Sequence, residues 1–333
     1  MPLARAAAAA GHTVALTGRR SAVGPEFELD FFPTGAERPP KRIPMRELDP
    51  EREQREFRAG FAGRLARERA GDVRALCAEW RPDVVVCDET DFGAMLVAEG
   101  LGLRYASVCT TAPGFIRREL LPEPFAALSP GLVLSPFPPS FRDPGPAHCF
   151  RTVAGTGRRG GGPPTVYFTL GTVFNLESGD LFARVLAGMW NLDVDVVATV
   201  GWQIDPAELG PQPERIRVER YLPHSDVLPR CDAVVSHGGS GTVIAALAHG
   251  LPSVLLPMGA DQPQNAARCE ELGTALVLDA MRATPEDVRE AVSSVLEYSS
   301  YRAAAERVRD EIRRLPGPEH AVRLLERLLD TDG

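Results

Sequence analysis

The side chains best suited to chemistry in this sequence lie in one short segment, His237-Gly238-Gly239-Ser240-Gly241-Thr242. A β-branched run precedes it, and the apolar run that follows predicts a helix. A strand, a glycine-rich turn and a helix start together direct backbone N–H groups and the positive end of a helix dipole at an anion. The segment is therefore predicted to hold a diphosphate, with His237 donating to one phosphate. Ser240 and Thr242 would supply hydroxyl groups, and Gly239 and Gly241 would let the backbone approach closely.

A second segment supports this interpretation, because the first segment alone is not specific. It has no lysine after its glycines, it lacks the spacing of the dinucleotide fingerprint, and an ordinary turn capped by Ser240 would give the same pattern. Downstream, a predicted strand at 252–257 ends at Gly259-Ala260-Asp261-Gln262. That places an acid and an amide at the carboxyl end of a strand, where open α/β sheets bind ligands. Asp261 and Gln262 suit the recognition of several sugar hydroxyls at once.

Composition bounds the class of protein. A chain of 333 residues with 44% hydrophobic residues suits two α/β domains, and strands alternating with helices predict parallel sheets. A net charge of −8 argues against nucleic acid or an anionic membrane surface as partner. No apolar run reaches the length of a membrane span, and no signal-like start is present. The six cysteines show neither CxxC pairing nor metal-ligand spacing, which favours reduced thiols in the cytoplasm and no metal site.

Together, His-Gly-Gly-Ser-Gly-Thr at 237–242 and Gly-Ala-Asp-Gln-Pro-Gln-Asn-Ala at 259–266 resemble the donor-binding signature of the UDP-glycosyltransferase superfamily. The resemblance is strongest to the bacterial branch that glycosylates macrolides and other natural products. It implies that His237 contacts a phosphate of a nucleotide-sugar donor and that the turn at Ser240, Gly241 and Thr242 binds the other phosphate. It also implies that Asp261 and Gln262 bind the sugar.

The resemblance implies further donor contacts in two other turns. Gly171 and Thr172 follow a predicted strand at 165–170, and the corresponding loop of the family approaches the diphosphate from the opposite side. A plain strand-to-helix turn would explain the same pattern. Tyr221-Leu222-Pro223 resembles the family's aromatic-X-Pro step, whose ring stacks on the nucleobase. Packing of Tyr221 on the core is an equal alternative.

The family's fold is GT-B, in which two Rossmann-like α/β domains face each other across a cleft. We therefore expect an acceptor-binding domain at 1–140, a flexible Pro-, Gly- and Arg-rich linker at 141–164, and a nucleotide-sugar domain at 165–315. The helix within 316–333 is expected to return to the first domain.

The resemblance also implies a catalytic His, which acts as the base, in a Gly-His-x-x-Pro loop after the family's first strand. This sequence opens on the helix that follows that loop, so the first domain is expected to be N-terminally incomplete. Either the sequence is shortened, which we favour, or the natural chain begins here and transfers sugar poorly or not at all. His12 is expected to have a structural role at the C-terminal end of a helix, where the helix dipole favours a positive charge.

Asp88 is the catalytic residue that we predict within the sequence. It follows a predicted strand at 84–87, and the resemblance implies that it orients the base, as in other His–Asp pairs. Asp91 is the reserve, although a helix N-cap suits Asp91 better.

The sequence therefore predicts an inverting, metal-independent glycosyltransferase of the hexosyltransferase type. A base would deprotonate an acceptor hydroxyl, while the helix start and His237 stabilise the departing diphosphate. No cofactor is expected beyond a dTDP- or UDP-sugar as co-substrate. Ala245 stands where many UDP-using relatives carry a ribose-binding Glu, which favours a dTDP-deoxysugar.

The acceptor is expected to be a hydrophobic small molecule such as a polyketide, held near 110–115 and 124–141, although core packing would explain the same apolar residues. A homodimer is compatible with the resemblance. Two other function classes stay open: a nucleotide-sugar-binding auxiliary protein without catalytic activity, and a sugar-nucleotide 2-epimerase, whose signature is unlike Asp261-Gln262.

Overall fold

The computed structural model describes residues 2–20, 28–35, 41–153, 155 and 162–330. Its helices and strands alternate, and all strand pairs in these ranges are parallel. The first half contains α1 (Pro2–Ala9), β1 (Ala15–Gly18), β2 (Asp30–Pro33), α2 (Pro50–Ala59), α3 (Ala66–Trp80), β3 (Val84–Asp88), α4 (Phe92–Gly100), β4 (Arg104–Val108), β5 (Leu132–Ser135) and β6 (His148–Cys149).

The second half forms one six-stranded sheet in the order β12-β11-β10-β7-β8-β9. Its central strands β7, β10 and β11 are buried on both faces, as is usual for fully parallel sheets covered by helices on each side. Its elements are β7 (Thr165–Thr169), α5 (Leu181–Met189), β8 (Asp195–Thr199), β9 (Ile216–Glu219), α6 (His224–Val227), β10 (Ala233–Ser236), α7 (Ser240–His249), β11 (Ser253–Leu255), α8 (Gln262–Glu271), β12 (Ala275–Val277), α9 (Pro285–Glu297), α10 (Ser299–Arg314) and α11 (Pro318–Asp330).

The strands of the first half divide into two sheets in the described part of the chain. Strand β1 pairs with β2, while β3, β4, β5 and β6 form a separate sheet in that order. A cavity of about 680 Å³ lies between them, and its lining includes Leu16 of β1 and Val84 and Val86 of β3. Val86, on the edge strand β3, is 42% exposed, although the strands of parallel sheets are usually buried on both faces. The N-terminal incompleteness of this domain stays a prediction.

Helix α11 packs against the first half, although it ends the chain. It contacts α1, β4 and β5, and its Ala321 and Leu325 are buried in one apolar cluster with Leu132 and Leu134. A second apolar cluster contains side chains from both halves, including Phe137 with Leu247. The two halves are therefore joined by packed apolar surface as well as by the chain itself.

The segment predicted as a linker differs from the expectation in its first part. Strand β6 lies within 141–164 and pairs with β5, and Phe141 and Phe150 are buried. The Arg142 guanidinium lies 3.1 Å from the Glu89 carboxylate. Residues 141–153 are thus part of the first half's packed structure, which corrects the flexible linker predicted there. Residue 154 and the Gly- and Arg-rich run at 156–161 lie outside the described residues.

Candidate functional site

The predicted donor residues lie at the carboxyl edge of the six-stranded sheet. Because the strands are parallel, the turns that follow β11, β10, β7, β8 and β9 line up along this edge in the sheet's own order. The structure thereby brings together the turns that carry Asp261, His237, Gly171 and Tyr221. Asp88, by contrast, ends β3 in the first half.

His237 is buried between two of the predicted glycines. A Cβ atom on Gly171 would lie 2.7 Å from Cε1 of the ring, and one on Gly239 would lie 2.5 Å from Nε2. Gly171 also has a φ of +72°, a conformation that a side chain disfavours. These glycines make room for the imidazole, which is a reason different from the close phosphate approach that the sequence suggested. Gly241 is exposed, and a Cβ there would meet nothing within 4 Å.

The environment of His237 favours a neutral ring with one unused nitrogen. Burial lowers the pKa of His237 from 6.5 to about 4, and a hydrogen bond with the Thr169 backbone opposes this effect. Nδ1 has no hydrogen-bond partner among the described residues. A buried polar atom without a partner is costly unless it serves a ligand. The Nδ1 atom of His237 is therefore left with unused hydrogen-bonding capacity in the described part of the chain.

The start of α7 beside His237 is open to an anion. Gly239, at φ −64° and ψ 139°, is the N-cap, and no side chain caps the helix. Ser240 is therefore the first helical residue, so the alternative of an ordinary turn capped by Ser240 is wrong. Because a helix start leaves N–H groups without intrahelical partners, those of α7 can bind an anion. Thr242, in the same turn, is buried.

The hydroxyl of Ser240 is directed at Asp261 on the neighbouring turn. Ser240 Oγ donates to Asp261 Oδ2 at 2.7 Å. The same oxygen accepts a hydrogen bond from the backbone N–H of Ala112, at 2.9 Å, which belongs to the first half. Asp261 therefore connects the glycine-rich turn at 237–242, called here the phosphate turn, with its own loop and with the first half of the chain.

Gln262 holds its own loop. Its side chain is buried, and Oε1 accepts hydrogen bonds from the backbone N–H groups of Met258 at 2.8 Å and Gly259 at 3.3 Å. The amide oxygen is thus used within the protein, and the amide nitrogen is the part of Gln262 suited to donate to a sugar hydroxyl.

Asn265 is a site residue that the sequence analysis did not select. It is fully buried in α8, and its Nδ2 donates to the Gly238 carbonyl and to Ser240 Oγ, both at 2.9 Å. Nδ2 also lies 3.2 Å from Asp261 Oδ2. One amide group therefore fixes the phosphate turn against the Asp261 loop. The sequence contained one signal for Asn265, because this residue lies four positions after Asp261, about one helical turn further along α8.

A second contact crosses the cleft at the Asp261 loop. Glu53 Oε2 on α2 accepts a hydrogen bond from the backbone N–H of Ala260 at 2.9 Å, and Ala260 itself has a φ of +51°. Beside this contact lies a cavity of about 630 Å³ between α2, the 114–120 segment and the loop. Its lining includes Gln54, Phe115 and Gln264.

Tyr221 and Leu222 have different surroundings. Leu222 is partly buried and packs against an apolar cluster that contains Tyr167. Tyr221 is 46% exposed, and its ring stacks on Trp202 with 5.1 Å between centroids and 23° between planes. Core packing, the alternative for Tyr221, is therefore wrong. Trp202 was missed by the sequence analysis, and it follows β8 as Tyr221 follows β9.

Asp88 is exposed at the end of β3, and its Oδ1 accepts hydrogen bonds from Thr90 N at 2.8 Å and Thr90 Oγ1 at 2.6 Å. Desolvation by the surrounding protein raises the pKa of Asp88, while the Thr90 hydrogen bonds oppose this rise. Asp91 accepts from Ala94 N at 3.1 Å and pairs with Arg69 at 2.9 Å. Asp91 is thus the N-cap of α4, which is the alternative that the sequence analysis gave to a catalytic role.

His12 contacts the last helix, because its Nε2 lies 2.9 Å from Glu326 Oε1 on α11. None of the helices in the described ranges combines the length and the apolar character needed to cross a membrane. Within those ranges, no group of three or more His, Cys, Asp or Glu side chains is placed to hold a metal ion.

Comparison with known proteins connects this geometry to a group of enzymes. A family model described as "Erythromycin biosynthesis protein CIII-like, C-terminal domain" matches residues 183–328. The 4'-demethylrebeccamycin synthase of Lentzea aerocolonigenes is 38% identical over 199 residues, 60% of this chain and 44% of that protein. The aclacinomycin-T 2-deoxy-L-fucose transferase of Streptomyces galilaeus is 30% identical over 303 residues, 77% of this chain and 68% of that protein.

The likeness in fold extends over almost the whole chain. The structure of the spinosyn rhamnosyltransferase SpnG complexed with thymidine diphosphate superposes with a TM-score of 0.80 at 24% identity, covering 98% of this chain and 95% of that chain. In sequence, the chain spans less than half of the rebeccamycin relative and about two thirds of the aclacinomycin relative.

Proposed function

Because this chain belongs to the GT-B glycosyltransferases of antibiotic biosynthesis, we propose that it transfers a sugar from a dTDP- or UDP-sugar to a hydroxyl of a hydrophobic natural product such as a polyketide. The transfer is inverting and needs no metal. The observation that carries the proposal is the meeting of three features at one sheet edge. These are the unpartnered His237 nitrogen, the open start of α7 and the Asp261 carboxylate.

The order of the strands supports one orientation of the donor. Asp261 follows β11, His237 follows β10, Gly171 follows β7 and Tyr221 follows β9. A donor laid along this edge has its sugar at Asp261, its diphosphate between His237 and the α7 start, and its base toward Tyr221. Thr172, exposed beside Gly171, faces the diphosphate from the other side.

Stabilisation of the leaving diphosphate is the chemistry that this site supplies. Negative charge develops on the diphosphate oxygens as the glycosidic bond breaks, and donors already aimed at that charge lower the barrier. The α7 N–H groups provide such donors without reorganisation. His237 has its pKa lowered to about 4 by burial, and the arriving diphosphate charge raises that pKa. The ring then takes up a proton and donates to the phosphate.

The nucleotide is proposed to be dTDP rather than UDP. Ala245, at the position where many UDP-using relatives carry a Glu, is buried inside α7 in an apolar cluster with Leu228. Ala245 offers no carboxylate to a ribose 2′-hydroxyl. A dTDP donor has no such hydroxyl, so it loses no hydrogen bond when the carboxylate is absent. The structure of SpnG, which is a complex with thymidine diphosphate, agrees with this choice of nucleotide.

The acceptor is proposed to occupy the cavity of about 630 Å³ beside the Ala260 loop, because its wall includes Phe115 and it adjoins the sugar position. Most apolar side chains of the 124–141 stretch lie elsewhere. Leu128, Leu134 and Phe137 are buried in the core, as the packing alternative stated. The acceptor surface thus comes from α2 and the 114–120 segment.

The test is the release of free nucleoside diphosphate from dTDP- and UDP-sugars in the presence of a panel of polyketide aglycones. We expect acceptor-dependent release with preference for dTDP donors. His237→Asn should lower the rate by about 100-fold, the effect of removing one preorganised donor at a developing oxyanion. His12→Asn is the matched control, because His12 pairs with Glu326 on α11 and not with a residue of the proposed donor site, and it should leave the rate unchanged.

Each other outcome has a defined meaning. Equal use of UDP donors, or preference for them, contradicts the choice of nucleotide. Tight dTDP binding without turnover on any aglycone contradicts the transferase and supports the nucleotide-sugar-binding auxiliary protein. Absence of nucleotide binding contradicts the donor site itself.

A further inference from the structure

The turn that follows β4, at 110–112, reaches the Asp261 carboxylate from the first half of the chain. The Ala112 N–H donates to Asp261 Oδ2 at 2.9 Å. Ser240 Oγ and Asn265 Nδ2 reach the same oxygen, at 2.7 Å and 3.2 Å. Because all three contacts end on Oδ2, Oδ1 is the oxygen left to accept from a sugar hydroxyl. The orientation of the Asp261 carboxylate therefore depends in part on the position of the 110–112 turn.

A carboxylate at the end of β3 holds this turn from one side. Glu89 Oε1 accepts hydrogen bonds from Thr110 N at 2.7 Å and from Thr111 N at 2.6 Å. The Thr111 hydroxyl donates to the same oxygen at 2.8 Å, and the Glu89 side chain is only 11% exposed. Hydrogen bonds to an ionised acceptor are among the stronger ones in proteins. Glu89 thus fixes the two peptide N–H groups that precede the Ala112 N–H.

Arg142 holds the turn from the other side. Its Nη1 donates to the Thr111 carbonyl at 2.8 Å, and that carbonyl belongs to the same peptide group as the Ala112 N–H. The guanidinium is itself held by Glu89, with Nη1 3.2 Å from Oε1 and Nη2 3.1 Å from Oε2. The peptide group that donates to Asp261 is therefore bonded at both ends, and Glu89 orients both of its supports.

Stability alone is a poor explanation for this arrangement. A largely buried ion pair adds little to stability, because the cost of desolvating both charges offsets their attraction. What the Glu89–Arg142 pair supplies is a fixed direction for the 111–112 peptide group. The same turn also acts on Asp88, since burial raises the pKa of that carboxyl and side-chain hydrogen bonds from Thr90 and Thr110 oppose the rise.

We propose that Glu89 is a positioning residue for sugar recognition, because it aims the Ala112 N–H at Asp261 Oδ2 and so keeps Oδ1 turned toward the donor sugar. The inference rests on the proposed function, in which Asp261 binds the sugar. The sequence analysis selected Asp88 and Asp91 on either side of Glu89 but gave Glu89 itself no role. Glu89 acts through the turn and Asp261, so it should affect the sugar of the donor and not its nucleotide.

The test compares TDP, which has no sugar, with dTDP-glucose and dTDP-rhamnose by titration calorimetry on the full chain. Glu89→Gln keeps the size of the side chain but removes the charge that pairs with Arg142. We expect it to weaken dTDP-sugar binding by about tenfold, as loss of one hydrogen bond to a charged group does. TDP affinity should not change. Arg142→Lys, a second variant, keeps the positive charge but not the forked geometry, and it should show the same selectivity with a smaller loss.

Glu99→Gln is the matched control. Glu99 is in the same half, and its Oε1 accepts from a loop N–H, that of Ser129, at 2.9 Å. The Ser129 loop is not the turn that reaches Asp261, so Glu99→Gln should leave both affinities unchanged. A double-mutant cycle with Asp261→Asn tests the route of the effect. In the Asp261→Asn background, Glu89→Gln should cause little further loss of dTDP-sugar affinity.

The other outcomes would each overturn the inference. Unchanged dTDP-sugar binding by Glu89→Gln would show that sugar recognition does not depend on this residue. Equal weakening of TDP and dTDP-sugars would show that Glu89 only supports the fold. Additive losses in the cycle would show that Glu89 does not act through Asp261. These three results leave the proposed function standing, whereas failure of the wild type to bind TDP and both dTDP-sugars would overturn the proposed function and this inference with it.

Discussion

The two halves of the chain are both built from parallel strands, but only the second half joins its described strands into one sheet. Six strands there form an uninterrupted ladder. In the first half, β1 and β3 belong to separate sheets with a cavity of about 680 Å³ between them. The donor residues lie on the continuous sheet, while the first half contributes contacts across the cleft through Glu53 and Ala112. A site that needs fixed geometry is thus carried by the half with the more complete hydrogen-bond ladder.

Hydrogen exchange on the wild-type chain should show the largest contrast between the halves. Amides of β1 and β3 lie at sheet edges beside the cavity, so they should exchange by local opening, whereas those of β7 and β10 should exchange only by global unfolding. The opening free energies should differ by about 5 kcal/mol or more, given the usual range from near zero to the global value. Equal protection of β3 and β7 would contradict the comparison.

The second prediction concerns the pH dependence that His237 brings to the second half. Its pKa is lowered to about 4 in the folded chain, against 6.5 when unfolded. The unfolded chain therefore binds more protons between these values, and stability falls as pH drops from 6.5 toward 4. The shift corresponds to about 3 kcal/mol in the free energy of unfolding.

Denaturant unfolding of the wild type and of His237→Asn, measured between pH 7 and pH 4, isolates this contribution, because other titrating groups cancel in the difference. The wild type should lose about 3 kcal/mol relative to the variant over this window. Parallel stability curves would show that His237 is not held neutral by burial.

The smallest predicted effect tests why the glycines of the phosphate turn are there. A Cβ on Gly239 would lie 2.5 Å from His237 Nε2, while one on Gly241 would meet nothing within 4 Å. Gly239→Ala should therefore cost about 1–3 kcal/mol of stability, as overpacking does. Gly241→Ala, the matched control, should stay within about 0.5 kcal/mol.

A double-mutant cycle with His237→Ala gives the cause directly. With the ring removed, Gly239→Ala should lose most of its cost, since the side chain that the new methyl would meet is gone. An unchanged cost in the His237→Ala background would mean that Gly239 is needed for another reason, such as the backbone conformation of the turn.

Much of the fold could be predicted because its elements carry local signals. The strands predicted at 84–87, 165–170 and 252–257 correspond to β3 (Val84–Asp88), β7 (Thr165–Thr169) and β11 (Ser253–Leu255). Strands β5 and β6 were missed, because they are short and lie among prolines that indicate a loop. The division of the first half's strands into two sheets depends on pairing in space, which hydrophobic periodicity does not encode.

The site shows the same limit at the level of single residues. Residue types and spacing indicated His237, Asp261 and the glycines. They could not indicate that Gly171 and Gly239 contact the His237 ring, or that Ser240 donates to Asp261, because these contacts join turns distant in sequence. Tyr221 was indicated by the resemblance, whereas Trp202 could have been found only from its place after a strand end, at the sheet edge where ligands bind.

The measurement that tests the central claim most directly is hydrogen exchange of the full chain with and without TDP. The account predicts protection at 171–173, 201–203, 237–242 and 258–262, the turns at the carboxyl edge of the second sheet, with β3 to β6 unchanged. Protection confined to the first half, or TDP binding that leaves these turns unprotected, would contradict it.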